Sequence, residues 1–379
     1  MAIGVHRREF LNGLLGAPFL VPAWRSAPPA SYLTELSSLM SAAPVPGAVI
    51  GAIRGHKVAW IAPLGVRQAG SRDAVTPATL FQAASLTKQV AAHAAFALRG
   101  QGKLDFDRPL VAYLDDLPNP VARQVTIRQV LSHSSGFPNW RYAAPSKPIP
   151  DLVPAFPPGS RYQYSGEGYF YLQRVMEQVT GLGFAQIVND HVFEPLNMRS
   201  SALVWDPATL DRTAVPHNRR GEPRKDWDKG IRGLHAYSAR IGKSILGLRY
   251  ADYSAAVAEA GDPVLPDWMR PNAASSLVTS ADDYARFLCA AIRNPELGRQ
   301  QVAINEFLGW GTGWGIERAS GHTYLWQWGD NPGFKNIVVA EPSTGDAIFV
   351  FTNGDSGARV YDRVLTHATG HDHPALFWI

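Results

Sequence analysis

Apolar residues recur along this chain with two periods, and the period changes in a simple order. At the start, SYLTELSSLM (31–40) places apolar side chains at helical spacing. GAVIGAIRGHKVAWIAPLG (47–65) then carries two apolar, β-rich runs around Arg54-Gly55-His56-Lys57, which predicts a hairpin. After the loop SRDAVTPATLFQAAS a helix is predicted from about Leu86 to Leu98, stopping at Gly100. It is rich in alanine and apolar over much of its surface, so it belongs in the interior. Residues 101–270 hold short helical pieces between many Pro and Gly residues, among them VTIRQVLSHSSG, with Thr126 at the N-cap, and YFYLQRVMEQVTGLG, ending at Gly181. Ser280-Ala281-Asp282-Asp283 opens a further helix with an acidic capping pattern. Strand character returns in TYLWQWG, NIVVAE and DAIFVFTNG, and a helix follows near 358–368.

Strands at both ends around a helix-rich middle predict an α/β chain of the α+β kind. One antiparallel sheet is formed by the N- and C-terminal strands and flanked by helices, and a helix-rich region over about 101–270 is inserted between them. No repeat or low-complexity tract divides residues 24–379, which read as a single domain after a short linker at 24–31.

Composition narrows the classes. Hydrophobic residues make up 46% of the 379 and charged residues 18%, the balance of a globular protein with a substantial core rather than a disordered chain. The net charge of +4 is small for this length, and the one dense basic stretch, Arg219 to Lys229, is interleaved with Glu222, Asp226 and Asp228. That is a solvated loop, not a nucleic-acid footprint. With Cys289 as the single cysteine no intramolecular disulfide can form, and its place in DDYARFLCAAI reads as a small buried apolar residue.

The first 23 residues carry an address. Arg7-Arg8-Glu9-Phe10-Leu11 followed by the moderately apolar NGLLGAPFLVPA reads as a twin-arginine export signal, with Val21 and Ala23 as the small residues of a cleavage site. The apolar stretch is too short to anchor across a bilayer, so the mature protein is expected to be exported, periplasmic or extracellular, without a stable membrane anchor.

Several chemistries lack their signatures. There is no His-Glu-x-x-His, no Gly-x-Ser-x-Gly elbow and no Gly-x-Gly-x-x-Gly after a strand. Gly242-Lys243-Ser244 ends like a phosphate loop, but Tyr237 stands where its first glycine is needed. His371-Asp372-His373 lacks a third spaced ligand and reads as a solvent-exposed tail. No metal and no cofactor are expected.

What remains is Ser85-Leu86-Thr87-Lys88, the chain's one Ser-x-x-Lys. About one such match arises by chance at this length. Its position gives it meaning: it opens the most apolar helix, where residues i and i+3 share a face. Burial there lowers a lysine pKa, a neutral amine can take the serine proton, and the helix N-terminus offers N–H groups to a developing oxyanion. The motif alone equally describes an N-cap serine followed by a surface lysine.

Five ordered segments tip that balance, because together they resemble the serine β-lactamase and penicillin-binding protein superfamily, in particular class C β-lactamase-like serine hydrolases and related esterases. They are FQAASLTK (81–88), LSHSSGFPNW (131–140), YSGEGYFYLQRVMEQVTG (164–181), AASSLVTSADDYARF (273–287) and GWGIE (313–317) with WQWGDNPGFKN (326–336). The resemblance implies an acyl-enzyme on Ser85, with Lys88 as base and Tyr164 shuttling protons. It implies an oxyanion hole from the amides of Ser85 and Asp330, and a strand Gln327-Trp328-Gly329 edging the site. His133 is implied to be a structural loop histidine. Two positions depart from the pattern. Gly166 carries no side-chain amide where the family has Asn or Ser, and Gln327 replaces a cationic Lys or His, with Lys335 as a compensating cation or a turn lysine. Esters, amides or small D-amino-acid peptides are therefore expected as substrates, with β-lactams weak. An acyltransferase and a catalytically weak sensor or binding module are the alternatives. Trp140, Trp310, Trp314, Trp326 and Trp328 could line an acyl cleft, at least three of them being core.

Overall fold

The computed structural model describes residues 26–379 apart from 118, 142–149, 226, 228, 254 and 256–269; the export signal read at residues 1–23 lies outside the described residues. Helix α1 (Ala30–Ala42) precedes the hairpin β1 (Gly47–Arg54) and β2 (Lys57–Gly65), whose turn takes Gly55 and His56 into the left-handed region. The short β3 (Leu80–Gln82) leads into α2 (Thr87–Gly100). Next come α3 (Ile127–Leu131) and α4 (Gly166–Thr180). β4 (Val278–Ser280) and α5 (Ala281–Ala291) open the C-terminal part. Strands β5 (Val302–Ala303), β6 (Leu308–Trp310), β7 (Gly315–Ala319), β8 (His322–Asn331), β9 (Phe334–Glu341) and β10 (Asp346–Thr352) follow, and then α6 (Ala358–Thr369) and α7 (Pro374–Trp378).

Eight of the described strands form one antiparallel sheet in the order β2-β1-β10-β9-β8-β7-β6-β5. The N-terminal hairpin joins the C-terminal meander through β1 and β10, with Val49 opposite Phe351. The continuous apolar runs of the central strands follow from burial on both faces. Val49, Phe349, Phe351 and Val338 face a core shared with α2, α4 and α5. Ile50, Ile348, Val350, Ile337 and Val339 face a second core under α1 and α6. Each such side chain contributes about 1.5–3 kcal/mol on burial, so a one-residue slip of any central strand is strongly disfavoured.

The helix boundaries come from identifiable caps. Thr126 and Gln129 form a reciprocal capping box on α3, Ser165 and Ser280 accept the N3 amides of α4 and α5, and Gly181 closes α4 in the left-handed region. Strands β6 and β7 were not anticipated, because Gly309, Gly311, Gly313 and Gly315 interrupt the apolar alternation there. Cys289 is half-buried rather than buried. The C-terminal histidines form no exposed tail: His373 is buried, its Nδ1 2.8 Å from Glu317 Oε1. A buried carboxylate on β7 needs partners, and the sequence offered no sign that this segment supplies them.

Candidate active site

Ser85 sits on a single 3₁₀ turn, Ala84–Leu86, at the head of α2. Ala84 holds φ +52°, a left-handed conformation that costs a non-glycine residue on the order of 1–3 kcal/mol and turns the serine out of the strand direction. The turn is held from outside. The amide of Ala83 donates to Leu277 O at 2.8 Å, and that of Leu277 to Thr87 Oγ1 at 2.9 Å. On the other side, β8 passes so close that a Cβ on Gly329 would lie 2.3 Å from Ala83 O, so only glycine fits. Ser85 itself is 9% exposed, reachable but mostly enclosed.

Lys88 is fully buried, and its Nζ lies 3.1 Å from Ser85 Oγ and 2.8 Å from Ala274 O. Neither partner is charged. Burial therefore holds the amine well below the ordinary lysine range. The rings of Tyr164, Tyr169 and Trp140 stand 4.8, 5.5 and 5.9 Å from Nζ. They favour the ammonium by on the order of 1 kcal/mol each, less than an ammonium loses on leaving water. The Ala274 carbonyl is aimed by an Asx turn in which Asn272 Oδ1 accepts the amides of Ala274 and Ser275, both at 2.8 Å. This is what the segment AASSL does, and no spacing rule could have found it.

Tyr164 reaches the pair from the other side, its ring 4.8 Å from Lys88 Nζ and its hydroxyl accepting from Gln327 Nε2 at 3.2 Å. Burial pushes its phenol well above the usual tyrosine range, against the smaller opposing pull of the neighbouring Ser85 and Gln327. His133 fixes this tyrosine with two bonds. Its carbonyl accepts the Gln163 amide at 2.8 Å, and its Nδ1 accepts the Ser165 amide at 3.0 Å, so the residues flanking Tyr164 are both strapped to one histidine. The ring lies 4.3 Å from that of Tyr164. Because Nδ1 accepts, the proton is on Nε2, and burial keeps the ring neutral. His133 is a positioning residue, and its left-handed φ of +54° is part of the strap.

Gln327 is buried, and its amide nitrogen spans Tyr164 OH, Trp328 O (3.1 Å) and Ser85 O (3.4 Å). It supplies an N–H where a cation would have added charge. Lys335 does not take that role. Its ammonium pairs with Asp330 and stands 3.6 Å from Asp355. Gly166, the first residue of α4, is covered by Trp140: a Cβ there would lie 2.3 Å from the indole ring, so the volume of a side chain at 166 is filled by an aromatic edge. Of the five tryptophans, Trp310, Trp314 and Trp326 are core, while Trp140 and Trp328 are half-buried at the site. Trp328 lies 4.7 Å from the Tyr164 ring. One aromatic was missed: Trp378, which packs on Trp328 and Tyr162 from the C-terminal helix. Among the described residues no group of three or more His, Cys, Asp or Glu is arranged to hold a metal ion, and no helix is long and apolar enough to cross a membrane.

Penicillin-binding protein 4 of Amycolatopsis lactamdurans is 26% identical over 331 residues, 82% of this chain and 81% of its own. Esterase EstB of Burkholderia gladioli is 28% identical over 245 residues, 57% of this chain and 58% of its own. The solved octameric penicillin-binding protein homologue from Pyrococcus abyssi shares the fold, with a TM-score of 0.67 at 19% identity over 92% of this chain and 79% of that one. Residues 35–370 match the Beta-lactamase family, and the chain belongs to this family of serine hydrolases.

Proposed function

We propose that this protein hydrolyses esters through an acyl-enzyme on Ser85, with small amides and D-amino-acid peptides as slower substrates and β-lactams as poor ones. The observation that carries the reading is the Lys88 amine, buried with no counter-ion among the described residues and 3.1 Å from Ser85 Oγ. Neutral Lys88 takes the Ser85 proton as Oγ bonds to the ester carbonyl carbon. The amides of Ser85 and Asp330 receive the oxyanion, the ester C–O bond breaks, and the proton passes from Lys88 through Tyr164 to the departing alkoxide. Water repeats the sequence on the acyl-enzyme and frees the acid. The Gln327 N–H engages a lone pair of Tyr164, which leaves the phenol proton available for that relay.

Two features favour uncharged acyl donors. Gln327 adds no positive charge for a substrate carboxylate, and Lys335 is neutralised by Asp330 and Asp355. Gly166 presents the Trp140 indole in place of an amide, so an acylamino group finds no hydrogen-bond partner there. Fluorophosphonate labelling of the purified protein, read by intact mass, tests the reading. The wild type should gain one adduct and Ser85→Ala none; an unlabelled, folded wild type would refute it.

Export through the twin-arginine route belongs to the same proposal, supported by Arg7-Arg8-Glu9-Phe10-Leu11. Fractionation in a bacterial host should find a mature form starting at Trp24, and Arg7→Lys with Arg8→Lys should keep it in the cytoplasm.

A further inference from the structure

The C-terminal segment is fastened to the sheet more firmly than a five-residue helix requires for itself. His373 and Glu317 are both buried, and every polar atom of the pair is used. His373 Nδ1 meets Glu317 Oε1 at 2.8 Å, His373 Nε2 meets Thr369 Oγ1 at 3.0 Å, and the Ala375 amide donates to Glu317 Oε2 at 3.0 Å. A helix as short as α7 has no stability of its own, so this buried latch decides where its side chains lie.

The latch carries Trp378 to the rim of the active site. Its ring stands 6.1 Å from Trp328 at an interplanar angle of 83° and 5.4 Å from Tyr162. Trp328 is backed by Trp326 at 5.6 Å and touches the Tyr164 ring at 4.7 Å. Two incompletely buried indoles at a right angle thus form a corner one ring away from Tyr164. Trp378 is 37% exposed, and Phe377 and Ile379 beside it are 80% and 40% exposed. Such a cluster of exposed apolar side chains beside the aromatic rings of Trp328 and Tyr162 is the kind of surface that is covered in use.

We infer that Trp378, placed by the Glu317–His373 latch, forms with Trp328 a subsite for a flat apolar group of the ester substrate. The inference rests on the acyl-enzyme reading and adds a specificity-determining residue to it. The shared chemistry is an aromatic group, which belongs to either the acyl or the alcohol half of the ester, and the test separates the two. Hydrolysis of ethyl phenylacetate, benzyl acetate and ethyl acetate is followed by titration of released acid for the wild type, Trp378→Ala, Trp378→Phe and His373→Ala. Trp378→Ala is expected to lower kcat/KM for one aromatic ester relative to ethyl acetate by about tenfold, carried by KM. Loss on ethyl phenylacetate assigns the corner to the acyl group, and loss on benzyl acetate to the alcohol. Trp378→Phe should restore most of the ratio, and His373→Ala should lower it as Trp378→Ala does.

Ratios within twofold of wild type for both aromatic esters would overturn the inference. So would a parallel loss on all three esters, which is the signature of a purely structural role. Fluorophosphonate labelling of the wild type separates the layers: an unlabelled wild type sinks the acyl-enzyme reading and the corner with it, whereas a labelled wild type with unchanged ratios sinks the corner alone.

Discussion

Two lysines, one on α2 and one on β9, have opposite surroundings. Lys88 is buried beside a hydroxyl and a carbonyl, with no counter-ion among the described residues. Lys335, across the strand pair, is held between the carboxylates of Asp330 and Asp355. Burial among uncharged groups holds the first well below the ordinary lysine range, while the second forms ion pairs that fasten β9 to Asp330 and to the turn after β10. The residue type is the same, and the neighbours decide whether it is a base or a brace.

Substitutions can break this contrast. Lys88→Ala and Lys88→Arg should each cut ester kcat/KM by at least about 10³-fold, since neither side chain can accept the serine proton. Near-wild-type turnover in Lys88→Arg would show that an uncharged amine is not needed. Tyr164→Phe should cost about 10²-fold, the scale of a lost proton relay, with single-turnover kinetics showing the loss in acylation and deacylation alike.

The buried amine should also be a burden on the fold. An unfolded Lys88 binds a proton near pH 10.5, and the folded one does so only at lower pH. Between those two values the unfolded chain holds the extra proton, so stability rises with pH across the window and the penalty is largest at its acid end. Lys88→Met should therefore be inactive yet more stable at pH 7 by about 1–2 kcal/mol, the gain shrinking toward pH 10. Chemical denaturation at both pH values measures this, and a less stable Lys88→Met would contradict it. The smallest effect belongs to the other lysine. Lys335→Met should change ester kcat/KM by about fivefold or less, because an edge ion pair contributes up to about 1 kcal/mol.

The parts of this site that lie close together in the chain were legible. Ser85 and Lys88 share a helix face, and Thr126, Gly181 and Ser280 mark their helix ends as local rules require. Tyr164 and Gln327 were found through resemblance, because nothing local distinguishes a site tyrosine from a core one. What stayed hidden are relations between distant segments whose residue types are ordinary. The Trp140 ring over Gly166, the Ala274 carbonyl on Lys88 and the His133 bonds on either side of Tyr164 are examples. The His371–His373 tract was misread for the same reason, since its partner Glu317 lies on a strand broken by glycines.

The most direct test of the central claim is the rate of fluorophosphonate labelling of Ser85 as a function of pH. If neutral Lys88 is the base, the rate climbs with a single ionisation and levels off below pH 10, beneath the ordinary lysine range. If the Tyr164 phenolate were the base, the rate would still be rising above pH 10, because burial holds that phenol above its usual value. A plateau below pH 10 in wild type that disappears in Lys88→Ala is the predicted result, and a rate still climbing past pH 10 would contradict the account.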